Sequence, residues 1–121
     1  MRKILISIKP EYAKLILAGK KLYEYRKRVP IEVETVVIYV TAPMKKVVGE
    51  FVVDEILSMP SKDLWEKTHF QSGLTSEKFF QYFDGMPIAH ALSIKDVFIY
   101  EYPMDLSAIN IKRAPQSWQY I

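Results

Sequence analysis

Lys9, Lys21, Glu24 and Arg26 are the residues of this chain whose types and spacing best suit chemistry on an anionic ligand. Lysine and arginine hold phosphate, and arginine can do so through two hydrogen bonds at once. Glu24 is the one carboxylate among these cations. It can accept hydrogen bonds from the exocyclic amine of a base, or act as a general base where water is excluded. The competing interpretation is a plain surface network in which Glu24 pairs with Lys21 or Arg26. Exposed pairs of that kind contribute about 0–1 kcal/mol and need no ligand.

A strand, a helix and a second strand must position these residues. Lys3–Ile8 is a short apolar run that reads as a strand. Pro10 suits the first turn of a helix, where its missing N–H is not needed. Tyr12, Ala13, Ile16 and Leu17 then recur at helical spacing, and Gly19 stops the helix. Lys9 and Lys21 flank it. Leu22–Arg28 has strand composition, with Tyr23 and Tyr25 on one face and Glu24 and Arg26 on the other. Two positions apart on a strand is about 7 Å. Tyr12, Tyr23, Tyr25 and Tyr39 are aromatic surfaces on which bases could stack, or core residues, as the alternation of Tyr23 and Tyr25 also suits.

The remaining elements follow from composition. Thr35–Thr41 is a continuous β-branched and aromatic run, expected to be buried on both faces. Val47–Leu57 reads as a long strand in which Gly49 marks a bulge or bend. Pro60 and Ser61 open a helical stretch containing Leu64 and Trp65. Thr75 is a candidate N-cap, with Leu74 and Phe79 spaced as a hydrophobic staple, and this helix runs to about Phe83 before Asp84-Gly85. Ile88–Ile94 and Val97–Tyr102 read as two further strands joined at a polar bend, Ser93–Asp96. About six strands with two or three short helices predict an α+β fold, a small mixed β-barrel rather than a doubly wound sheet.

The chain has 121 residues, half of them hydrophobic, which suits one domain over residues 1–121 with a real core. Cysteine is absent, which excludes disulfides, thiolate metal sites and a cysteine nucleophile. The two histidines, His69 and His90, are too few for a histidine-rich metal centre, and no loop has EF-hand spacing. No metal and no cofactor is expected. His90 lies in an apolar strand and reads as a hydrogen-bonded structural residue. Neither a phosphate-binding glycine loop nor a G-x-S-x-G elbow occurs, which argues against NTPase and serine-hydrolase functions. Ile4–Ile8 is shorter than the apolar part of a signal peptide, and no run approaches a membrane span. The expectation is a cytoplasmic protein without a membrane partner.

Charge is distributed unevenly. Residues 1–28 hold nine basic and two acidic side chains, a net +7, whereas the rest hold eight basic and twelve acidic, a net −4. A positive pole of this kind attracts polyanions, among which RNA is common.

The segments Ser7-Ile8-Lys9-Pro10-Glu11-Tyr12-Ala13, Ile16-Leu17-Ala18-Gly19-Lys20-Lys21 and Tyr23-Glu24-Tyr25-Arg26 together resemble the N-terminal signature of ASCH domains, members of the PUA-like group. Tyr39 to Pro43 and Val48-Gly49-Glu50-Phe51 resemble the family's next strands. Arg113-Ala114-Pro115-Gln116-Ser117-Trp118 resembles an end motif of one bacterial and phage branch. The resemblance implies a pseudo-barrel with a cleft beside the first helix, lined here by Lys9, Tyr12, Lys21, Glu24 and Arg26, with Gln116 and Ser117 near it. It implies a partner that is RNA or a nucleotide-like ligand. Some ASCH proteins resemble amidohydrolases of acetylcytidine, and nuclease activity is also associated with the family. The amidohydrolase lysine matches Lys21 and its arginine matches Arg26. Its threonine position is occupied by Glu24, and its distal glutamate has no clear match in the region His69 to Glu77, where Ser72 and Glu77 are the candidates, so that triad is broken. The leading expectation is therefore an RNA- or nucleotide-binding module. The alternatives are a hydrolase of a modified nucleoside or a ribonuclease, with Lys21 and Glu24 as acid and base, and a protein-interaction module in transcription or translation whose acidic portion docks a basic partner.

Overall fold

The computed structural model of the chain describes residues 2–121. The elements follow in the order β1 (Lys3–Ile8), α1 (Pro10–Leu17), β2 (Tyr23–Arg26), β3 (Thr35–Val40), β4 (Lys46–Met59), α2 (Ser61–Thr68), α3 (Ser76–Tyr82), β5 (Ala89–Met104) and β6 (Trp118–Tyr120). The strands form one mixed sheet, ordered β2-β5-β4-β3-β1-β6 and curled into a half-barrel, in keeping with the expected α+β mixed barrel. β1 and β3 are parallel neighbours, with Ile4 opposite Val36, so the chain must cross over between them. That crossover carries α1 and β2, and with them the cation-rich segment.

Local sequence explains these elements. α1 starts at Pro10 and turns Ala13 and Ile16 onto Ile4, Ile6 and Ile8 of β1 and Val36 and Ile38 of β3. It ends at Gly19, whose φ of +74° is a left-handed value that a side chain resists. Successive residues of β3 enter different cores, as its unbroken apolar run requires. Val36, Ile38 and Val40 face the main core, whereas Val37 and Tyr39 join Leu5 and Val47 on the other side of the sheet. A third cluster joins Tyr25 and Ala91 of the sheet to Leu64 of α2 and Phe79 of α3. Thr75 caps α3 by accepting from the Lys78 N–H at 3.2 Å, as its position predicts.

Four strand assignments differ from the sequence expectation. Ile88–Ile94 and Val97–Tyr102 are not separate strands but parts of the single strand β5. The polar stretch between them does not turn. Asp96 takes a φ of +49°, and register shifts against β4 absorb the irregularity. The sixth strand is instead Trp118–Tyr120, too short to register as a strand from its three residues, which pairs antiparallel with β1. β2 is shorter than Leu22–Arg28 and β4 longer than Val47–Leu57.

Gly49 sits at a register shift between β4 and β5, as its place in the strand suggests. A Cβ built there would lie 2.5 Å from the Phe98 carbonyl oxygen. A Gly49→Ala variant is therefore expected to lose about 1–3 kcal/mol through forced separation of the two strands. Urea unfolding would read this as a lower midpoint at unchanged slope. An unmoved midpoint would mean that the strands do not approach so closely.

Candidate functional site

A cavity of about 580 Å³ opens where β1, α1 and β2 meet the segment 60–85. That volume falls within the roughly 300–1,000 Å³ of typical small-ligand sites. The crossover supplies Lys9, Tyr12, Lys21, Glu24, Tyr25 and Arg26. The opposite wall comes from Leu74, Lys78, Gln81 and Tyr82, and Gln116 closes one end.

Lys21 is the unusual residue. Its side chain is 2% exposed. The turn after Gly19 points it inward, and its ammonium donates to the Ser72 carbonyl oxygen. Nζ lies 5.0 Å from the centre of the Tyr25 ring and 5.5 Å from that of Tyr12, so aromatic faces replace part of its lost hydration. Burial pushes the Lys21 pKa below 10.5, Glu24 opposes that shift, and Arg26 reinforces it.

Glu24 is also buried, and its two oxygens differ. Oε2 accepts from Arg26 Nε at 3.0 Å and from Nη2 at 2.8 Å. Oε1 accepts no hydrogen bond from the described residues and lies 4.0 Å from Lys21 Nζ. Arg26 further donates to the Ser7 carbonyl at 2.8 Å and to Ser117 Oγ at 3.2 Å. The guanidinium thus ties β2 to β1 and to the segment before β6, strands that share no backbone pairing with it. Lys21 and Glu24 bring a proton donor and an open acceptor side by side in a partly apolar cavity, while Arg26 locks the carboxylate in place.

Behind this pair, Thr68 donates to the Leu64 carbonyl at 2.7 Å, which leaves the Tyr25 hydroxyl to donate to Thr68 Oγ1 at 2.6 Å. Burial raises the Tyr25 pKa to about 12, so this hydroxyl keeps its proton at neutral pH. Tyr82 on the far wall is also raised by burial, and its hydroxyl accepts the Lys27 N–H at 3.2 Å.

Lys9, Tyr12, Lys21, Glu24, Arg26 and Gln116 all line one cavity. Ser117 does not; its hydroxyl accepts from Arg26 at 3.2 Å and its carbonyl from the N–H of Ser7, which does line the cavity, at 3.0 Å. Tyr23 packs on the cluster under the helices, and Tyr39 is buried on the far side of the sheet; neither is placed to stack on a ligand in the cavity. His90 bonds Ser58 Oγ at 2.7 Å through Nδ1, outside the cavity, as a structural histidine should. Sequence reasoning missed the wall of Leu74, Lys78, Gln81 and Tyr82. The Thr75 cap announces a helix there, but nothing in its pattern says which side faces a site some 60 residues earlier.

The ASCH domain family model matches residues 6–98. Two curated proteins of Ureaplasma parvum, each named large ribosomal subunit protein uL22, are 35% identical over 120 residues, 98% of this chain and 39% of theirs. The chain thus spans about two fifths of the length of these relatives. A Zymomonas mobilis protein named ASCH domain-containing ribonuclease is 32% identical over 97 residues, covering 78% of this chain and 66% of that protein. The crystal structure of a tyrosine-to-phenylalanine variant of the Zymomonas mobilis ASCH protein superposes with a TM-score of 0.90 at 28% identity, over 100% of this chain and 91% of that one. No helix among the described residues is long and apolar enough to cross a membrane.

Proposed function

The chain belongs to the ASCH domain family, and from that premise we propose that its cavity binds single-stranded RNA. The observation that carries this reading is the Lys21–Glu24 pair, a cation and an open carboxylate oxygen facing one cavity beside the Tyr12 ring. Lys9 and Lys78 stand at exposed positions on opposite walls and suit backbone phosphates. The Tyr12 ring offers a stacking surface. Glu24 Oε1 suits an exocyclic amine of the base, since carboxylates accept from such donors. Arg26 serves this site by orienting Glu24, because most of its donors are already engaged.

With Lys21 as a third phosphate contact beside Lys9 and Lys78, the site implies a measurable salt dependence. At about −0.7 per phosphate for single strands, log affinity against log salt should fall with a slope of about −2. Fluorescence anisotropy with a short labelled RNA between low and moderate salt tests this. A flat profile would remove phosphate contacts from the reading.

A second reading, RNA cleavage at the same cavity, is favoured by the buried lysine of depressed pKa beside a carboxylate, since such pairs cluster at reactive sites. The Zymomonas mobilis relative that is named a ribonuclease supports it. Here Glu24 would take the proton of a 2′-hydroxyl as that oxygen attacks the adjacent phosphorus, and Lys21 would neutralise the charge developing on the phosphate. The P–O5′ bond would break, the 5′-oxygen leaving with a proton from Lys21, and a 2′,3′-cyclic phosphate would form. RNA that stays intact through long incubation leaves binding alone. Cleavage that stops at a single 2′-deoxy substitution identifies this route.

A further inference from the structure

β5 lies inside the sheet between β2 and β4, yet its outer half has a neighbour on one side only. β2 covers only its beginning, from His90 opposite Arg26 to Ser93 opposite Tyr23, and the last contact is the Ile94 N–H on the Leu22 carbonyl at 2.9 Å. Beyond Ile94 the strand has β4 on one side, and no backbone hydrogen bond among the described residues reaches its other side. Pairing stops there because β2 itself begins at Tyr23. The segment Val97–Tyr102 is thus a free sheet edge within an otherwise paired strand.

Free edges are normally blunted with lysine, proline or bulges. Here Asp96 and Pro103 bracket the edge, but between them the exposed side chains other than Glu101 are large and apolar. Phe98 is 61% exposed, Ile99 55% and Tyr102 73%. None of these residues lines the cavity described above. Lys95, just before the edge, is paired with Asp54 at 3.6 Å, and the charges left without an ion-pair partner share one sign. Glu101 lies within the edge and Asp96 at its start, and neither forms an ion pair among the described residues. Glu50 stands opposite Phe98 on β4 and accepts from the Tyr100 hydroxyl at 3.0 Å.

We propose that Val97–Tyr102 is a docking edge to which a basic, extended protein segment adds as a further strand. The free backbone groups supply the pairing, Phe98, Ile99 and Tyr102 supply apolar cover, and Asp96 and Glu101 select lysine or arginine. A second copy of this chain fits worse. An antiparallel pairing of two such edges that sets Phe98 against Ile99 also sets Asp96 against Glu101, and like charges directly opposite are destabilising.

Labelled peptides of alternating valine and lysine, about eight residues long, test this against peptides of alternating valine and glutamate. The protein should bind the first and not the second. A Phe98→Ser, Tyr102→Ser double variant should weaken that binding about tenfold while keeping the melting temperature, since both residues are exposed. Glu101→Lys should weaken it as well. Amide exchange should slow at residues 97–102 when peptide is added. Equal affinity for both peptides, or affinity unmoved by these substitutions, would overturn the proposal. So would a dimer in sedimentation that dissolves in Tyr102→Lys, which would assign the edge to a second copy. RNA binding enters none of these readouts, so their outcome is independent of the function proposed for the cavity.

Discussion

Lys21→Met is expected to lower affinity for short single-stranded RNA by about tenfold and to abolish any cleavage at the cavity. Loss of one charge-assisted contact of about 1.5 kcal/mol accounts for the factor in binding. Methionine keeps the apolar stem that packs where a Cβ on Gly73 would sit 3.1 Å from Lys21 Cδ, so the wall should persist. The pH profile separates a role in binding from a role in folding. Wild-type affinity should fall as pH rises through the Lys21 pKa, which burial holds below 10.5, because the neutral amine no longer attracts phosphate. The variant should lack that limb. Stability should move the other way. Between the folded-state pKa and 10.5 the unfolded chain binds the extra proton, so wild-type stability rises with pH there, and Lys21→Met should lack the rise. Tyr25, raised to about 12, lowers stability above pH 10 in both proteins and cancels in the comparison. A variant with unchanged affinity and an unchanged profile would place Lys21 outside the site.

The depth of Lys21 was not legible in the sequence. Its neighbours Lys20 and Glu24 suggest a solvated ion pair, and only the turn after Gly19 together with the Ser72 carbonyl, 51 residues later, makes a place for its ammonium. Local signals did report what local physics controls. Pro10 and Gly19 bound α1, Thr75 caps α3, Gly49 marks a bulge, and the run Thr35–Thr41 predicts a strand buried on both faces. The alternation of Glu24 and Arg26 placed both toward the cavity. Long-range pairing leaves no such trace. The wall from α3 and the merging of two apparent strands into β5 depend on which segments meet across the sheet, and a polar stretch such as Ser93–Asp96 reads as a turn until its partner strand is known.

Arg26→Met is expected to destabilise the fold by about 3–5 kcal/mol, because it leaves a carboxylate in a largely dry site without its partner. Glu24 is 6% exposed, and after the change its remaining neighbour is Lys21 Nζ at 4.0 Å, beyond hydrogen-bond range. The Ser7 carbonyl and Ser117 Oγ lose their guanidinium donor in the same step. Losing a bond to one surface charge would have a far smaller effect. The double variant Glu24→Leu, Arg26→Met tests the cause. If the loss comes from the stranded carboxylate, removing it should restore much of the stability, since buried ion pairs replaced by apolar side chains are often neutral. If the loss comes from opening the seam between β2 and β1, the double variant should stay as unstable as the single one. A single variant within 1 kcal/mol of wild type would refute both causes. Either substantial loss has the same consequence for RNA. Glu24 Oε1 is aimed only because Oε2 is held, so Arg26→Lys, which keeps the charge but cannot hold one oxygen through Nε and Nη2 together, should retain more stability than Arg26→Met yet still bind RNA more weakly than wild type.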